Sequence, residues 1–346
     1  MNTTPLFHGS DIEKICAYYH LDKNTVVNFG ANVNPLGLSE SVKKSLSSHL
    51  EVLSSYPDRG YTSLRGTIAK YCGVSADCIL PGNGSSELIA LLIEACAPKR
   101  ALVHLREEQD FVLDIDNICR TLGHGKYDFL ILCNPNNPTS TAILRNDMER
   151  LLSFCSSKDI FVMIDETYVE FAPDIEAVTA VSFTKIFDNL CVLRGVSKFF
   201  AAPGLRLGYA VTRNFALLEK MKKKQIPWSL NSIGVFAGEL LFRDKEYISR
   251  ARKLILSERV RMYEALKKMP AFKTYEPYAN FILVKILKKG VTASDTFELC
   301  IKDGLMIRDC SSFQCLDGEF IRFCIMLPED NSKLLETLKK LEILQK

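Results

Sequence analysis

Four short segments carry the residue types that could do chemistry, and each follows an apolar run of strand length. Pro81-Gly82-Asn83-Gly84-Ser85-Ser86-Glu87 lies between the run Cys78-Ile79-Leu80 and an apolar helical stretch. Its glycines let backbone approach a ligand closely, and the unpaired N–H groups at a helix start favour an anion such as phosphate. A Gly-rich turn closed by a Ser/Glu cap accounts for the same residues. Cys133-Asn134-Pro135-Asn136-Asn137-Pro138-Thr139 follows the run Phe129-Leu130-Ile131-Leu132. Two X-Pro steps around three amides restrict the backbone enough to hold an Asn amide at fixed geometry, although a plain turn is the alternative. In Ile164-Asp165-Glu166-Thr167-Tyr168 a strand runs into two acids. An Asp at the mouth of a buried strand is costly unless a cation meets it, and a protonated ring nitrogen is a suitable partner; capping of the next helix is its other use. The fourth segment runs from Arg194 through Ser197, Lys198, Phe199 and Phe200 to Gly204-Leu205-Arg206-Leu207-Gly208. A lone Lys is ordinarily solvated. Set among apolar residues, Lys198 acquires the lowered pKa that an imine-forming amine needs.

The elements around these segments set their placement. From Cys78 onward, short apolar runs alternate with longer amphipathic ones: Ser85 to Cys96, Asp147 to Ser157, and the strand-like runs ending at Leu132, Asp165, Gly195 and Val211. Strand alternating with helix predicts a mostly parallel sheet covered by helices on both faces, with ligands at the carboxyl ends of the strands. Asp11 to Tyr19 and Ser39 to Leu50 read as helices preceding that core. Beyond Asn231 the pattern changes to long helical stretches, Ser232 to Phe242 and Lys245 to Lys268, then Asn280 to Ile286, a helix from Ala293, Glu319 to Met326, and a last helix. This reads as a smaller α+β lobe, with a break near residue 240.

Composition narrows the partners. A chain of 346 residues exceeds one compact domain, so two lobes or one large α/β core with an appended piece are expected. Hydrophobic residues at 47% and charged residues at 25% exclude wholesale disorder. Lys and Arg number 44 against 41 acids, and no basic run interleaves with aromatics, so nucleic acid has no electrostatic footprint and a small molecule is the expected partner. The 12 cysteines contain no C-x-x-C pair and fit reduced, buried thiols of a cytoplasmic protein; the 5 histidines show no ligand spacing, so no metal is expected. The opening residues lack a charged start followed by an apolar stretch, and runs such as Leu88 to Ile93 are too short to span a bilayer, so no membrane is expected.

The order of the four segments, the spacing from Asp165 to Lys198, and the string Ser197-Lys198 leading into Gly204-Leu205-Arg206-Leu207-Gly208-Tyr209 resemble the fold-type I pyridoxal-phosphate enzymes of the aminotransferase superfamily, over nearly the whole chain. The resemblance implies an α/β fold: a large domain whose mostly parallel sheet is sandwiched by helices, plus a smaller α+β C-terminal domain. It divides the chain into an N-terminal segment lining the site (1–40), a large cofactor-binding domain (41–240) and a small domain (241–346). It implies pyridoxal 5'-phosphate as cofactor, with Lys198 its covalent anchor and Asp165 paired with the pyridine N–H. It assigns Asn137 and Tyr168 to the ring oxygen, and Gly84, Ser85, Ser197 and Arg206 to the phosphate. Tyr56, in Ser-Tyr-Pro-Asp, corresponds to a tyrosine that reaches the neighbouring subunit's cofactor, which implies a homodimer.

Two subfamilies share these strings: histidinol-phosphate aminotransferases and the threonine-phosphate decarboxylases of cobalamin biosynthesis. Phe7-His8-Gly9-Ser10, Ala31-Asn32-Val33-Asn34-Pro35, Ile307-Arg308-Asp309-Cys310 followed by an aromatic, and Phe320-Ile321-Arg322 are similar to the decarboxylases. That resemblance makes His8, Gly9, Asn32, Asn137, Arg308 and Arg322 contacts of a small phosphorylated amino acid, O-phospho-L-threonine or O-phospho-L-serine. Arginine's planar fork suits both anions of such a substrate. A surface ion pair is the other use of the two arginines, and a mobile tail the other reading of His8. The resemblance breaks at Val103-His104, where the family carries a segment with an aromatic that stacks on the cofactor ring. Transamination of histidinol phosphate, or a binding protein that has lost its chemistry with that aromatic, are the competing readings.

Overall fold

The computed structural model describes residues 7, 11–102 and 110–343. The chain opens with α1 (Ile12–Tyr19), the short strand β1 (Val27–Asn28), α2 (Glu40–Ser47) and α3 (Thr62–Cys72). There follow β2 (Ile79–Asn83), α4 (Gly84–Cys96), β3 (Ala101–Leu102), α5 (Ile115–His124), β4 (Phe129–Cys133), α6 (Arg145–Ser157), β5 (Phe161–Asp165), β6 (Leu190–Gly195), β7 (Leu207–Val211) and α7 (Phe215–Lys224). Then come α8 (Ser232–Leu241), α9 (Lys245–Leu266), β8 (Phe272–Thr274), β9 (Phe281–Ile286), α10 (Ala293–Lys302), β10 (Leu305–Met306), β11 (Arg308–Asp309), β12 (Phe320–Cys324) and α11 (Pro328–Ile343). Side-chain caps start several helices: Asp114 on Asn117 N, Asn214 on Leu217 N, Asp244 on Tyr247 N, and a reciprocal Thr292/Asp295 box.

The large sheet has the order β2-β7-β6-β5-β4-β3. Strands β3 to β6 run parallel, β7 runs against β6, and β2 runs against β7. Only β7 is therefore reversed, as a mostly parallel sheet requires. Its residues alternate between two apolar layers: Leu130, Val162, Ile164 and Val192 join the main core, while Met163, Cys191, Leu193 and Ala210 pack on Leu88 and Leu92 of α4 and Leu218 and Met221 of α7. Burial on both faces explains why these strands read as continuous apolar runs.

The second sheet, β11-β12-β9-β8, is antiparallel throughout. Residues 27–34 tie the two sheets together. Val27 and Asn28 pair with Leu305 and Met306, Phe29 O accepts from Cys324 N at 2.8 Å, and Asn34 N donates to Lys198 O at 3.1 Å. From α9, Arg259 donates to the carbonyls of Phe171, Tyr278 and Ala279 at 2.7 to 2.9 Å.

Three differences from the sequence expectations have local causes. The loop expected after Leu80 does not form: β2 continues through Asn83 because its backbone pairs with Leu207 and Gly208, and α4 begins at Gly84. The helix expected to reach Leu50 stops at Ser47, where the hydroxyls of Ser47 and Ser48 both take Lys44 O, competing with the helix ladder. Strands β1, β8, β10 and β11 were not anticipated, since two or three residues carry no period. Among the described residues, no helix is long and apolar enough to cross a membrane.

Candidate active site

The reversal of β7 brings all four chemical segments to one edge. The carboxyl ends of β2, β4, β5 and β6 point the same way, and the start of β7 meets them, with Cys133 opposite Asp165 and Gly82 and Gly195 both opposite Gly208. The packing there demands glycine at 208. A Cβ on Gly208 would lie 2.6 Å from Ser85 N and 2.7 Å from the carbonyl carbon of Gly84. Gly84 itself has φ +75, and a Cβ there would meet the Arg206 guanidinium at 2.3 Å. A buried Gly84, a half-buried Ser85 and the exposed Arg206 thus meet at the start of α4, where backbone N–H groups lack helical partners, and Ser197 lies two residues beyond Gly195, where a Cβ would lie 3.6 Å from Ser85 Oγ.

Asp165 ends β5 with its carboxylate turned into this edge. Its Oδ1 accepts from Thr167 N at 2.9 Å and from the Thr167 hydroxyl. Burial raises its pKa and the two Thr167 contacts pull it back only in part. The cation expected beside it is not supplied by the protein: Asp165 forms no ion pair among the described residues. The neighbouring Glu166 points the other way, into a buried pair with Arg194 at 2.8 Å that also holds Thr179 and Ala180 N. One acid of the two therefore serves the site and the other the core.

Lys198 is half-buried, and its Nζ donates to Ala31 O at 2.7 Å. Burial, followed by the charge of Arg322, lowers its pKa. Asn137 sits on a loop held from beneath by buried Asn134, which donates to Ile143 O and Val178 O and accepts from Ile143 N. The Oδ1 of Asn137 is taken by Arg322 Nη1, which leaves its amide N–H groups to face a ligand. Tyr168 is 4% exposed, with its ring edge on Phe281. Its hydroxyl accepts from Asn32 Nδ2 at 3.4 Å, and burial pushes its pKa up to about 12 against the opposing pull of Arg322.

Arg308 and Arg322 face each other across β11 and β12. They are 7% and 5% exposed, and neither has a carboxylate partner among the described residues. Arg308 donates to Phe7 O and to Ser312 Oγ at 2.6 Å; Arg322 donates to Asn137 and to Gly30 O at 3.1 Å. Burial and then the charge of Arg322 lower the pKa of Arg308. Three buried atoms nearby have no partner: Arg322 Nε, Asn32 Oδ1 and Asn280 Oδ1.

Of the residues singled out from sequence, Lys198, Asp165, Tyr168, Asn137, Asn32, Arg308 and Arg322 converge, and Gly84, Ser85, Ser197 and Arg206 form the adjoining cup. Tyr56 does not join them within one chain; it is 80% exposed and lies 4.9 Å from the Trp228 ring. His8 and Gly9, and the join at Val103-His104, lie outside the described residues. Sequence reasoning missed Gly30 and Ala31, which act through backbone carbonyls, and Asn280, whose Nδ2 holds Asn32 O at 3.1 Å. It also missed Phe281, and it read Phe313 only as the aromatic that follows Arg308-Asp309-Cys310; the rings of both lie against the arginines. Backbone carbonyl acceptors leave no side-chain signal, whereas Asn280, an amide entering a buried strand, could have been flagged.

The site fits pyridoxal 5'-phosphate. A half-buried carboxylate lacking a cation among the described residues, a neutralisable lysine, amide and phenol groups beside them, and an anion cup at a helix start match the ring nitrogen, aldehyde, ring oxygen and phosphate in turn. The family described as aminotransferase class I and II matches residues 92–338. A threonine-phosphate decarboxylase of Salmonella typhimurium is 30% identical over 354 aligned positions, covering 96% of this chain and 95% of that protein. This exceeds the 346 residues of the chain, so that relative carries residues this chain lacks. An adenosylcobalamin biosynthesis bifunctional protein, CobDQ, of Leptospira interrogans is 29% identical, covering 96% of this chain and 41% of that protein. The crystal structure of a histidinol-phosphate aminotransferase from Clostridium acetobutylicum superposes with a TM-score of 0.84 at 29% identity, covering 91% of this chain and 98% of that one.

Proposed function

The chain belongs to the class I and II aminotransferase family of pyridoxal 5'-phosphate enzymes, and from that premise we propose that it decarboxylates O-phospho-L-threonine or O-phospho-L-serine to an O-phosphorylated amino alcohol. The observation that carries this reading is the facing pair Arg308 and Arg322, two buried cations without carboxylate partners among the described residues. A phosphoamino acid brings a carboxylate and a phosphate to the site together. Histidinol phosphate brings only the phosphate, although the 2-oxoglutarate that an aminotransferase also takes brings two carboxylates, so the pair favours the decarboxylase only together with the relatives' names. The names of the Salmonella and Leptospira relatives support the decarboxylase and a place in adenosylcobalamin biosynthesis, which we read as supply of the cobalamin nucleotide loop.

Bound cofactor supplies an electron sink conjugated to the substrate's α-carbon. Lys198 anchors it; Asp165 holds the ring N–H; Asn137 and Tyr168 donate to the ring oxygen; Gly84, Ser85, Ser197 and Arg206 hold the phosphate. Arg308 and Arg322, with Asn32, His8 and Gly9, hold the substrate's two anions and turn its Cα–carboxylate bond perpendicular to the ring. With the cofactor bound, loss of the carboxylate as CO2 would leave its electron pair at Cα, and the Lys198 ammonium would supply the proton that takes its place. Lys198 suits this task because burial and the charge of Arg322 lower its pKa, which makes its ammonium a better proton donor than an exposed lysine. The exposed Tyr56, out of reach of its own cluster, supports a homodimer in which it serves the neighbouring site. Twelve free cysteines, of which only Cys315 is exposed, fit a reducing cytoplasm.

The test is CO2 release by the cofactor-loaded enzyme with each phosphoamino acid, followed by mass spectrometry, with Lys198→Ala as control. Release lost in the variant is the expected result. The likeness to the Clostridium aminotransferase favours a second reading, which predicts glutamate from histidinol phosphate and 2-oxoglutarate, with no CO2. Cofactor absorbance without either turnover identifies a binding protein.

A further inference from the structure

Two like charges buried side by side repel, and ordinary proteins place a carboxylate between them. Here an aromatic ring stands in that place. The guanidinium carbon of Arg308 lies over the Phe313 ring at 5.6 Å from its centroid, and that of Arg322 lies over the same ring at 5.9 Å. Arg322 has a second ring, Phe281, at 5.2 Å. Among the described residues, Arg308 has Phe313 alone. The electron-rich face of an aromatic ring attracts a guanidinium, more strongly where water is excluded, yet adds no negative charge that a substrate anion would have to displace. Phe313 is itself anchored: its ring packs on the cluster of Phe111, Tyr275, Leu283, Cys310, Leu316 and Phe320, and its N–H bonds Cys310 O at 2.9 Å. The preceding residue, Ser312, holds Arg308 Nη2 at 2.6 Å.

We propose that Phe313 is a positioning residue that holds Arg308 and Arg322 together, unneutralised, so that the site accepts a substrate with two anionic groups. This deepens the reading given above and rests on its assignment of the two arginines to anion binding. Phe313 touches the arginines and has no contact with the cofactor cup, so its loss acts on anion affinity and on KM before it acts on cofactor retention.

The test uses the cofactor-loaded enzyme, in which the cup is filled, and inorganic phosphate as the probe in calorimetric titration. Phe313→Leu keeps apolar bulk and removes the π face, and is expected to weaken phosphate binding about tenfold, the loss of one to two desolvated cation–π contacts. Phe313→Tyr restores the face and stays close to wild type. In turnover, the Leu variant raises KM with a smaller change in kcat, and its cofactor spectrum is unchanged. If Phe313→Leu fails to fold, Phe313→Met serves as the apolar comparison. Equal affinity in the wild-type, Leu and Tyr proteins overturns the proposal, as does equal weakening in Leu and Tyr, which would make the role one of shape alone. Absence of phosphate binding in the wild type also overturns it. The expected phosphate pattern without CO2 release upholds the clamp and sinks the decarboxylase reading instead.

Discussion

Replacing Arg322 by leucine separates the site's binding energy from the stability of the fold, because the two should respond in different ways. In the free protein the guanidinium donates to two neutral acceptors, Asn137 Oδ1 and Gly30 O, and leaves Nε without a partner. Each charge-assisted bond contributes about 1.5–3 kcal/mol, but isolating an ion from water costs several kcal/mol, so the two nearly cancel. Arg322→Leu should therefore melt within a few degrees of wild type. Binding has no such cancellation. Truncating one partner of a desolvated, hydrogen-bonded charge pair costs about 2–5 kcal/mol, which is a fall of roughly thirty- to five-thousand-fold in kcat/KM for the phosphoamino acid. A third consequence concerns Lys198, whose amine is held below its ordinary pKa by burial first and by Arg322 second. Without Arg322 that pKa rises, less amine is neutral at a given pH, and the pH midpoint for reconstituting apoenzyme with cofactor moves upward. The assays are thermal melting, steady-state kinetics and the pH dependence of reconstitution followed by absorbance. A melting temperature lower by roughly ten degrees or more, or a midpoint that stays or moves down, would refute the reasoning.

Gly208→Ala pushes a methyl against the backbone of Gly84 and Ser85, and an overpacked site of this kind costs about 1–3 kcal/mol, so the variant should melt lower and lose cofactor on dialysis. Gly204→Ala, where nothing lies within 4 Å, should retain it. Arg194→Leu strands the buried Glu166 carboxylate and should destabilise by about 3–5 kcal/mol in denaturant titration, with part recovered in the Arg194→Leu, Glu166→Gln double variant. Burial pushes the Glu170 carboxyl up to about 7, and its Oε2 has no hydrogen-bond partner. An acid whose native pKa is raised contributes stability at low pH that is lost as pH climbs from its ordinary value of 4.5 through about 7. Melting temperatures across that window should fall for the wild type relative to Glu170→Gln; parallel curves would show that Glu170 titrates normally.

Legibility from sequence divides along the two halves of the site. The cofactor half was readable because each of its segments follows its own strand: Asn137 after β4, Asp165 at the end of β5, Lys198 after β6. The segment read as a phosphate cup follows β2 as expected, but the loop given to it is removed by the pairing of β2 with β7. Arg308 and Arg322 were named through resemblance, yet nothing local showed that they face each other, since β11 is two residues long. The partners that hold them in place, Gly30 O, Asn137, Ser312 and Phe313, were not legible as such.

What the sequence determines by itself is the set and order of chemical groups at the sheet edge. Parallel strands leave by the same edge, so residue type and position after a strand suffice, and no long-range contact need be known. What only the tertiary structure decides is how each group is held and what it faces. Asn280 reaches Asn32 across 248 residues, Arg322 reaches Gly30 across 292, and Lys198 reaches Ala31 across 167. These contacts arise because residues 27–34 thread between the two sheets, and a chain segment's neighbours in space depend on packing that no periodicity along the chain encodes. The same packing leaves two arginines buried without an ion-paired carboxylate among the described residues, a charge imbalance that composition conceals in a net charge of +3.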